Sequence, residues 1–80
     1  MIEFNEIKNW DEIKKTYPDW WAFIDPEKTK RKDGFIDKCY IYFVCPVEEK
    51  GLYVDELRKR QVHFDCIRTT FSAPNVGVIG

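Results

Sequence analysis

The sequence has little of what defines the specialised protein classes. It contains four glycines and four prolines, with no internal repeat and no low-complexity tract, which excludes collagen-like and linker-like chains. No segment approaches the roughly 18 apolar residues of a membrane-spanning helix, and the acidic N-terminal segment lacks the apolar run of a signal peptide. The formal net charge is −1 at pH 7, so no overall charge attracts the molecule to nucleic acid or to an anionic membrane.

Cysteine and histidine are also scarce. Cys39, Cys45 and Cys66 form an odd set without a CxxC motif, and there is one histidine. Because a small secreted domain usually carries an even set of disulfide-bonded cysteines, we expect free thiols and a cytoplasmic protein. Cys39 and Cys45 would stand roughly 20 Å apart on an extended strand at about 3.3 Å per residue. We therefore expect neither a zinc site nor a cofactor.

Aromatic residues are abundant. Three tryptophans, four tyrosines and six phenylalanines make up 16% of the 80 residues, and each such ring can bury about 150 to 250 Å². A chain of this length has room for one core and buries only about 60% of the surface that its unfolded form exposes. We predict a single small domain over residues 1–80 whose core is built from large rings.

Local patterns predict two helices and at least three strands. Asn9 and Glu12 form a capping-box-like helix start, and Pro18 disfavours helical geometry at the residue before it. Two aromatic and β-branched runs predict strands that pair as an antiparallel hairpin. The predicted elements are a helix at about 10–17, strands at 20–25 and 35–45 joined by a solvated loop at 27–34, a helix from about 51 to 60, a strand at 63–71, and a turn at 72–80 with or without a final short strand.

These elements predict an α+β fold with the order α-β-β-α-β. The connection from the second strand through the second helix to the third strand should be right-handed, with both strands running in the same direction. We therefore predict a mixed sheet of three to four strands with both helices packed on one face. A ferredoxin-like variant is the alternative if residues 1–5 form a leading strand. The order of strands across the sheet stays open.

The stretch HFDCIRTTF, residues 63–71, contains the residue types of a catalytic or phosphate-binding site. The period of two in a strand places His63 and Cys66 on opposite faces, which separates the thiol from the imidazole that would activate it. We therefore expect no catalytic residue and favour a non-enzymatic protein. A binding site for an anion or small molecule around Arg68 stays an alternative.

The run FIDKCYIYFVC, residues 35–45, is apolar on both faces of a strand. Two helices on one face would leave Tyr40 and Tyr42, joined by Trp20 or Trp21, on the other face, unless residues 1–4 or the tail 72–80 fold over them. An exposed aromatic face of this kind indicates a partner. Our first hypothesis is a protein-interaction or regulatory module that acts through this face or an open strand edge, as a homodimer or with another protein. Arg68 completes this predicted set of binding residues.

Single-stranded nucleic-acid binding is the second hypothesis. Tyr40 and Tyr42 would form a stacking platform, next to a basic loop that contains Lys28, Lys30, Arg31 and Lys32. The chain has no motif of an RNA-recognition domain, and its net charge disfavours a nucleic-acid partner. We therefore expect a protein partner before a nucleic acid, and no membrane.

Overall fold

The computed structural model describes residues 1–70; residue 71 and the tail 72–80, with the strand ending predicted there, lie outside the described residues. The described elements are, in chain order, β1 (Ile2–Asn9), α1 (Trp10–Thr16), β2 (Trp21–Lys32), β3 (Phe35–Cys45), a short 3-10 helix (Val47–Glu49), α2 (Lys50–Arg60) and β4 (Asp65–Arg68). The predicted cap of α1 is confirmed, because the Asn9 side chain accepts a hydrogen bond from the Glu12 backbone N–H at 3.2 Å.

The four strands form one sheet in the order β1-β3-β2-β4. The α+β class is confirmed, and residues 2–9 form the leading strand that was the alternative for residues 1–5. The mixed sheet is a wrong prediction. Strands β3 and β4 do run in the same direction, but β2 lies between them, so every neighbouring pair is antiparallel.

The two helices pack on opposite faces of this sheet. Successive β2 residues alternate between two core clusters: Ala22 and Ile24 pack with Trp10 of α1, whereas Phe23 packs with Leu57 of α2. The prediction of both helices on one face is therefore wrong. Strand β3 is apolar on both sides, and the prediction left one of these sides uncovered. Instead, one helix packs on each side.

The strand order gives a physical reason for this arrangement. The chain crosses the sheet from β1 to β2 and again from β3 to β4, each time toward the β4 edge, but on strands that run in opposite directions. The face on which a right-handed crossover places its helix depends on both the strand direction and the direction of crossing. Reversing only the strand direction reverses the face, so two crossovers of the same hand place α1 and α2 on opposite faces.

The element order matches the ferredoxin-like β-α-β-β-α-β pattern, but the sheet differs. In the ferredoxin-like sheet the last strand pairs with the first, whereas here β4 pairs with β2. Consequently β1 and β4 are the two edge strands, and no other strand within residues 1–70 pairs with the outer side of either.

Strands β2 and β3 form a long hairpin that ends in a two-residue turn. Asp33 and Gly34 have φ values of 54° and 83°, and a type I′ turn requires positive φ at both central residues. The prediction of a loop at 27–34 is wrong, because β2 continues through this segment to Lys32. We refer to residues 28–38, the distal part of this hairpin, as the ribbon.

Irregular pairing changes which side chains of β3 share a face. The register between β2 and β3 shifts at three places, one of them opposite Phe23 and Ile24, where Tyr42 is the extra residue in β3. Such bulges interrupt the strict alternation of side chains. As a result Ile41 packs in the α1 cluster while Phe43 packs in the α2 cluster, although a strict period of two had placed both on one face.

Candidate functional site

The ribbon concentrates positive charge. Residues 28–38 contain five lysine or arginine side chains and two aspartates, so the ribbon has a charge of +3 while the rest of the chain has −4. None of these five cations forms an ion pair with a carboxylate among residues 1–70. The net charge of −1 therefore conceals a strongly uneven distribution.

Ile36 is buried on one side of the ribbon, and the other side is open. Ile36 and Cys39 pack in the α1 cluster, so their neighbours in the alternating pattern point the other way. The register places Lys30 directly opposite Lys38, and Lys32 directly opposite Phe35, and directly opposite residues project from the same face. Phe35 is 50% exposed.

Two tyrosine rings continue this open side toward the sheet. The ring centroids of Tyr40 and Tyr42 lie 5.3 Å apart in an edge-to-face arrangement, and the Lys28 ammonium lies 4.8 Å from the centroid of Tyr40. Tyr40 packs against neither core cluster, so α2 does not cover it. We define the aromatic-basic surface as the side chains of Phe35, Tyr40, Tyr42, Lys28, Lys30, Lys32 and Lys38.

The inner end of the aromatic-basic surface is fixed by hydrogen bonds. The Tyr42 hydroxyl donates to the His63 carbonyl oxygen at 3.2 Å, and the His63 ring Nδ1 lies 2.7 Å from a Glu27 carboxylate oxygen. Burial and then the neighbouring Asp25 carboxylate raise the pKa of Tyr42, so the phenol stays protonated and available as a donor near neutral pH.

The structure brings together some of the predicted site residues and separates others. Tyr40, Tyr42, Lys28, Lys30 and Lys32 share the aromatic-basic surface, whereas Arg31 is paired with Ile36 on the other side of the ribbon. Sequence reasoning missed Phe35 and Lys38. The Asp-Gly turn was the available signal for them, because it fixes the register that places them opposite Lys32 and Lys30.

Trp20 and Arg68 lie away from this surface. Trp20 packs against the α1 cluster, with its ring 5.2 Å from that of Tyr17, on the opposite face from Tyr42. The Arg68 guanidinium pairs with Asp19 and lies 5.3 Å from the ring centroid of Trp21. Arg68 thus belongs to the β4 edge.

A second concave region lies between α2 and β4. It has a volume of about 480 Å³, and we call it the β4 groove. Three residues of α2 at a spacing of four, Lys50, Val54 and Arg58, form one wall, and residues 62–66 form the other. The Lys50 ammonium lies 4.0 Å from the ring centroid of Trp21. Neither Lys50 nor Arg58 was singled out from sequence, although their spacing on a helix is visible there.

The three thiols have the character of small buried side chains. Burial raises the pKa of Cys39 to about 12, and burial followed by the Glu49 carboxylate raises that of Cys45 to about 11. Burial also raises the pKa of Cys66, against the opposing effect of the Lys50 ammonium. The thiolate is the reactive form, so all three are poor nucleophiles near neutral pH. Residues 1–70 contain no cluster of three metal-ligating side chains.

Comparison with known proteins gives no further assignment. The chain matches no family model, no curated protein and no solved structure. Among residues 1–70, neither helix is long and apolar enough to cross a bilayer.

Proposed function

We propose that this chain is a non-enzymatic interaction module that binds single-stranded nucleic acid through the aromatic-basic surface. The observation that carries the proposal is the grouping of three rings with four lysines along one side of the hairpin, where only Tyr42 also packs against the α2 cluster. Rings stack on bases whatever the sequence, and lysines neutralise the phosphates. The high pKa values of the thiols support a role without nucleophilic chemistry.

The pairing of Lys30 with Lys38 is further support. Like charges directly opposite on neighbouring strands destabilise a sheet, and neither ammonium has a carboxylate partner within residues 1–70. An anionic ligand would relieve this repulsion on binding. The local charge of the ribbon matters more for binding than the net charge of −1, since at about 0.1 M salt a charge acts over only about 10 Å.

Binding to a 12-nucleotide single-stranded DNA of mixed sequence, measured by fluorescence anisotropy at 50 mM salt, tests the proposal. We expect Tyr40→Leu to weaken binding by about 1 to 3 kcal/mol, the contribution of one stacked base, and Tyr40→Phe, which keeps the ring, to bind like the wild type. No binding by the wild type, or equal binding by Tyr40→Leu, would contradict the proposal.

A charge variant separates folding from binding. Lys38→Glu should weaken binding, yet it should stabilise the fold by roughly 0.5 kcal/mol because it replaces a like-charged pair with an opposite one. Lys59→Glu makes the same charge change on the exposed end of α2 and is the matched control, which should bind like the wild type.

A protein partner is the second candidate function. The aromatic face from which we expected self-association is divided in the structure, because Trp20 packs against the α1 cluster and Tyr42 against the α2 cluster, which weakens that route to a homodimer. The observation that favours a protein partner is instead the outer edge of β4, with which no strand within residues 1–70 pairs. The cytoplasm remains our proposed location, supported by the free thiols.

A further inference from the structure

The outer edge of β4 offers unpaired backbone groups. The Thr69 backbone N–H donates to the Trp20 carbonyl oxygen at 2.8 Å, and hydrogen-bonded pairs alternate along an antiparallel ladder. Ile67, opposite Ala22, is therefore bonded to β2, while the N–H and C=O groups of Cys66 and Arg68 point outward. No strand within residues 1–70 uses them.

The side chains beside this edge select for negative charge. Cys66 and Arg68 project on the α2 side, where Lys50 and Arg58 flank the β4 groove. Neither Lys50 nor Arg58 forms an ion pair with a carboxylate among residues 1–70. The Nε of Arg68 is buried without an acceptor there, so one more acceptor is needed at this edge.

We propose that the β4 edge binds an extended acidic segment of a partner protein, which adds a strand beside β4 and directs carboxylates to Lys50 and Arg58. Strand addition of this kind derives affinity from main-chain hydrogen bonds and specificity from alternate side chains. The site is separate from the aromatic-basic surface and stands or falls independently of nucleic-acid binding.

Geometry sets the spacing of the acidic residues. Lys50 and Arg58 are eight positions apart on α2, about 12 Å at roughly 1.5 Å per residue. Residues i and i+4 of a strand are about 13 Å apart at roughly 3.3 Å per residue, so carboxylates at i and i+4 face the two cations. The residue at i+2 then faces Val54, which calls for an apolar side chain.

A second copy of this chain is a poorer occupant. If two copies paired their β4 strands, each would bring its own Lys50 and Arg58 to the shared groove, and like charges facing each other across an interface are unfavourable. An acidic strand instead meets two cations, and Asp65 is the one carboxylate among the residues that line the groove. Charge complementarity therefore decides for a different, acidic partner.

The test uses the full chain and the peptide acetyl-TETVTET-amide, whose second, fourth and sixth residues carry the acidic, apolar, acidic pattern. We expect binding by isothermal titration calorimetry, and none of acetyl-TKTVTKT-amide. Arg58→Glu should weaken binding roughly tenfold, whereas Lys59→Glu, the same charge change one residue further along α2, should not. Methylating the amides of one alternate set of peptide residues should abolish binding, and methylating the other set should spare it.

Amide hydrogen exchange provides a second readout. In the free protein the amides of Cys66 and Arg68 should exchange fast and that of Ile67 slowly, and the peptide should protect the first two. Three results would overturn the proposal: no binding, equal effects of both methylated peptides, or protection of Cys66 and Arg68 before peptide is added. Protection that grows with protein concentration would assign the edge to a second copy instead.

Discussion

Thr69 is the one polar side chain among residues 1–70 that is fully buried. Its hydroxyl donates to the Tyr17 carbonyl oxygen at 2.6 Å and accepts from the Trp20 backbone N–H at 2.8 Å. One side chain thus joins the end of β4 to the segment between α1 and β2. The contact therefore links the end of the second crossover (β3-α2-β4) to the first crossover (β1-α1-β2), although the two helices lie on opposite faces.

Thr69→Val keeps the shape of the side chain but removes both hydrogen bonds. We expect a loss of about 1 to 3 kcal/mol in the free energy of unfolding, since two partly buried backbone groups lose their partner. Thr70→Val, at the neighbouring exposed position, should change it by less than about 0.5 kcal/mol. Urea unfolding followed by circular dichroism measures both, and equal effects would show that the Thr69 hydroxyl contributes nothing specific.

At the scale of elements, two glycines differ in backbone conformation: Gly34 lies in the β2–β3 turn and Gly51 near the start of α2. Gly34 has a φ of 83°, where a side chain is strained, so Gly34→Ala should destabilise the fold by roughly 1 to 2 kcal/mol. Gly51 lies in α2, and an added methyl group would meet nothing within 4 Å. Gly51→Ala should therefore stabilise by roughly 0.5 kcal/mol. Thermal unfolding should give changes of opposite sign; two changes of the same sign would contradict the turn or the helix assignment.

Local elements were largely predictable because their signals are local. The Asn9 cap and the alternation that separates Cys66 from Ile67 between the two faces both follow from short-range geometry. Trp20 shows the limit of that reasoning: it directly precedes β2 and packs with α1, whereas the adjacent Trp21 faces α2. A one-residue choice of where a strand begins decides which face a ring occupies.

At the scale of the whole molecule, the arrangement of the sheet and helices depends on the strand with which β4 pairs. Nothing in the local pattern says whether β4 pairs with β1 or with β2, because that choice depends on contacts between residues far apart in the sequence. Pairing with β2 places α2 on the face opposite α1. It also creates the β4 groove, so the position of this site could not be predicted from the sequence either. The aromatic and basic residues were identifiable from sequence; their assembly into one surface was not.

The uneven distribution of charge over the whole molecule predicts how the affinity for single-stranded DNA depends on salt concentration. Glu3 pairs with Phe43 and lies about 16 Å along β3 from Lys38 at roughly 3.3 Å per residue. That separation is within the Debye length of about 30 Å at 0.01 M salt but beyond the roughly 10 Å at 0.1 M. Glu3→Gln should therefore raise the affinity for the single-stranded DNA about twofold at 10 mM salt and leave it unchanged at 200 mM.

Above 0.1 M salt, the salt dependence of the DNA affinity should come from the ribbon alone. Four lysines that neutralise phosphates on a single strand give a slope of log K against log salt of about −2.8, or about −0.7 for each lysine. Lys38→Glu should make this slope shallower by at least one such step, while Glu3→Gln should not alter it. Anisotropy titrations of the three proteins at several salt concentrations measure the slopes. If Lys38→Glu leaves the slope intact, phosphates do not bind at the ribbon. If Glu3→Gln changes the affinity equally at 10 and 200 mM, its effect is not a screened long-range interaction.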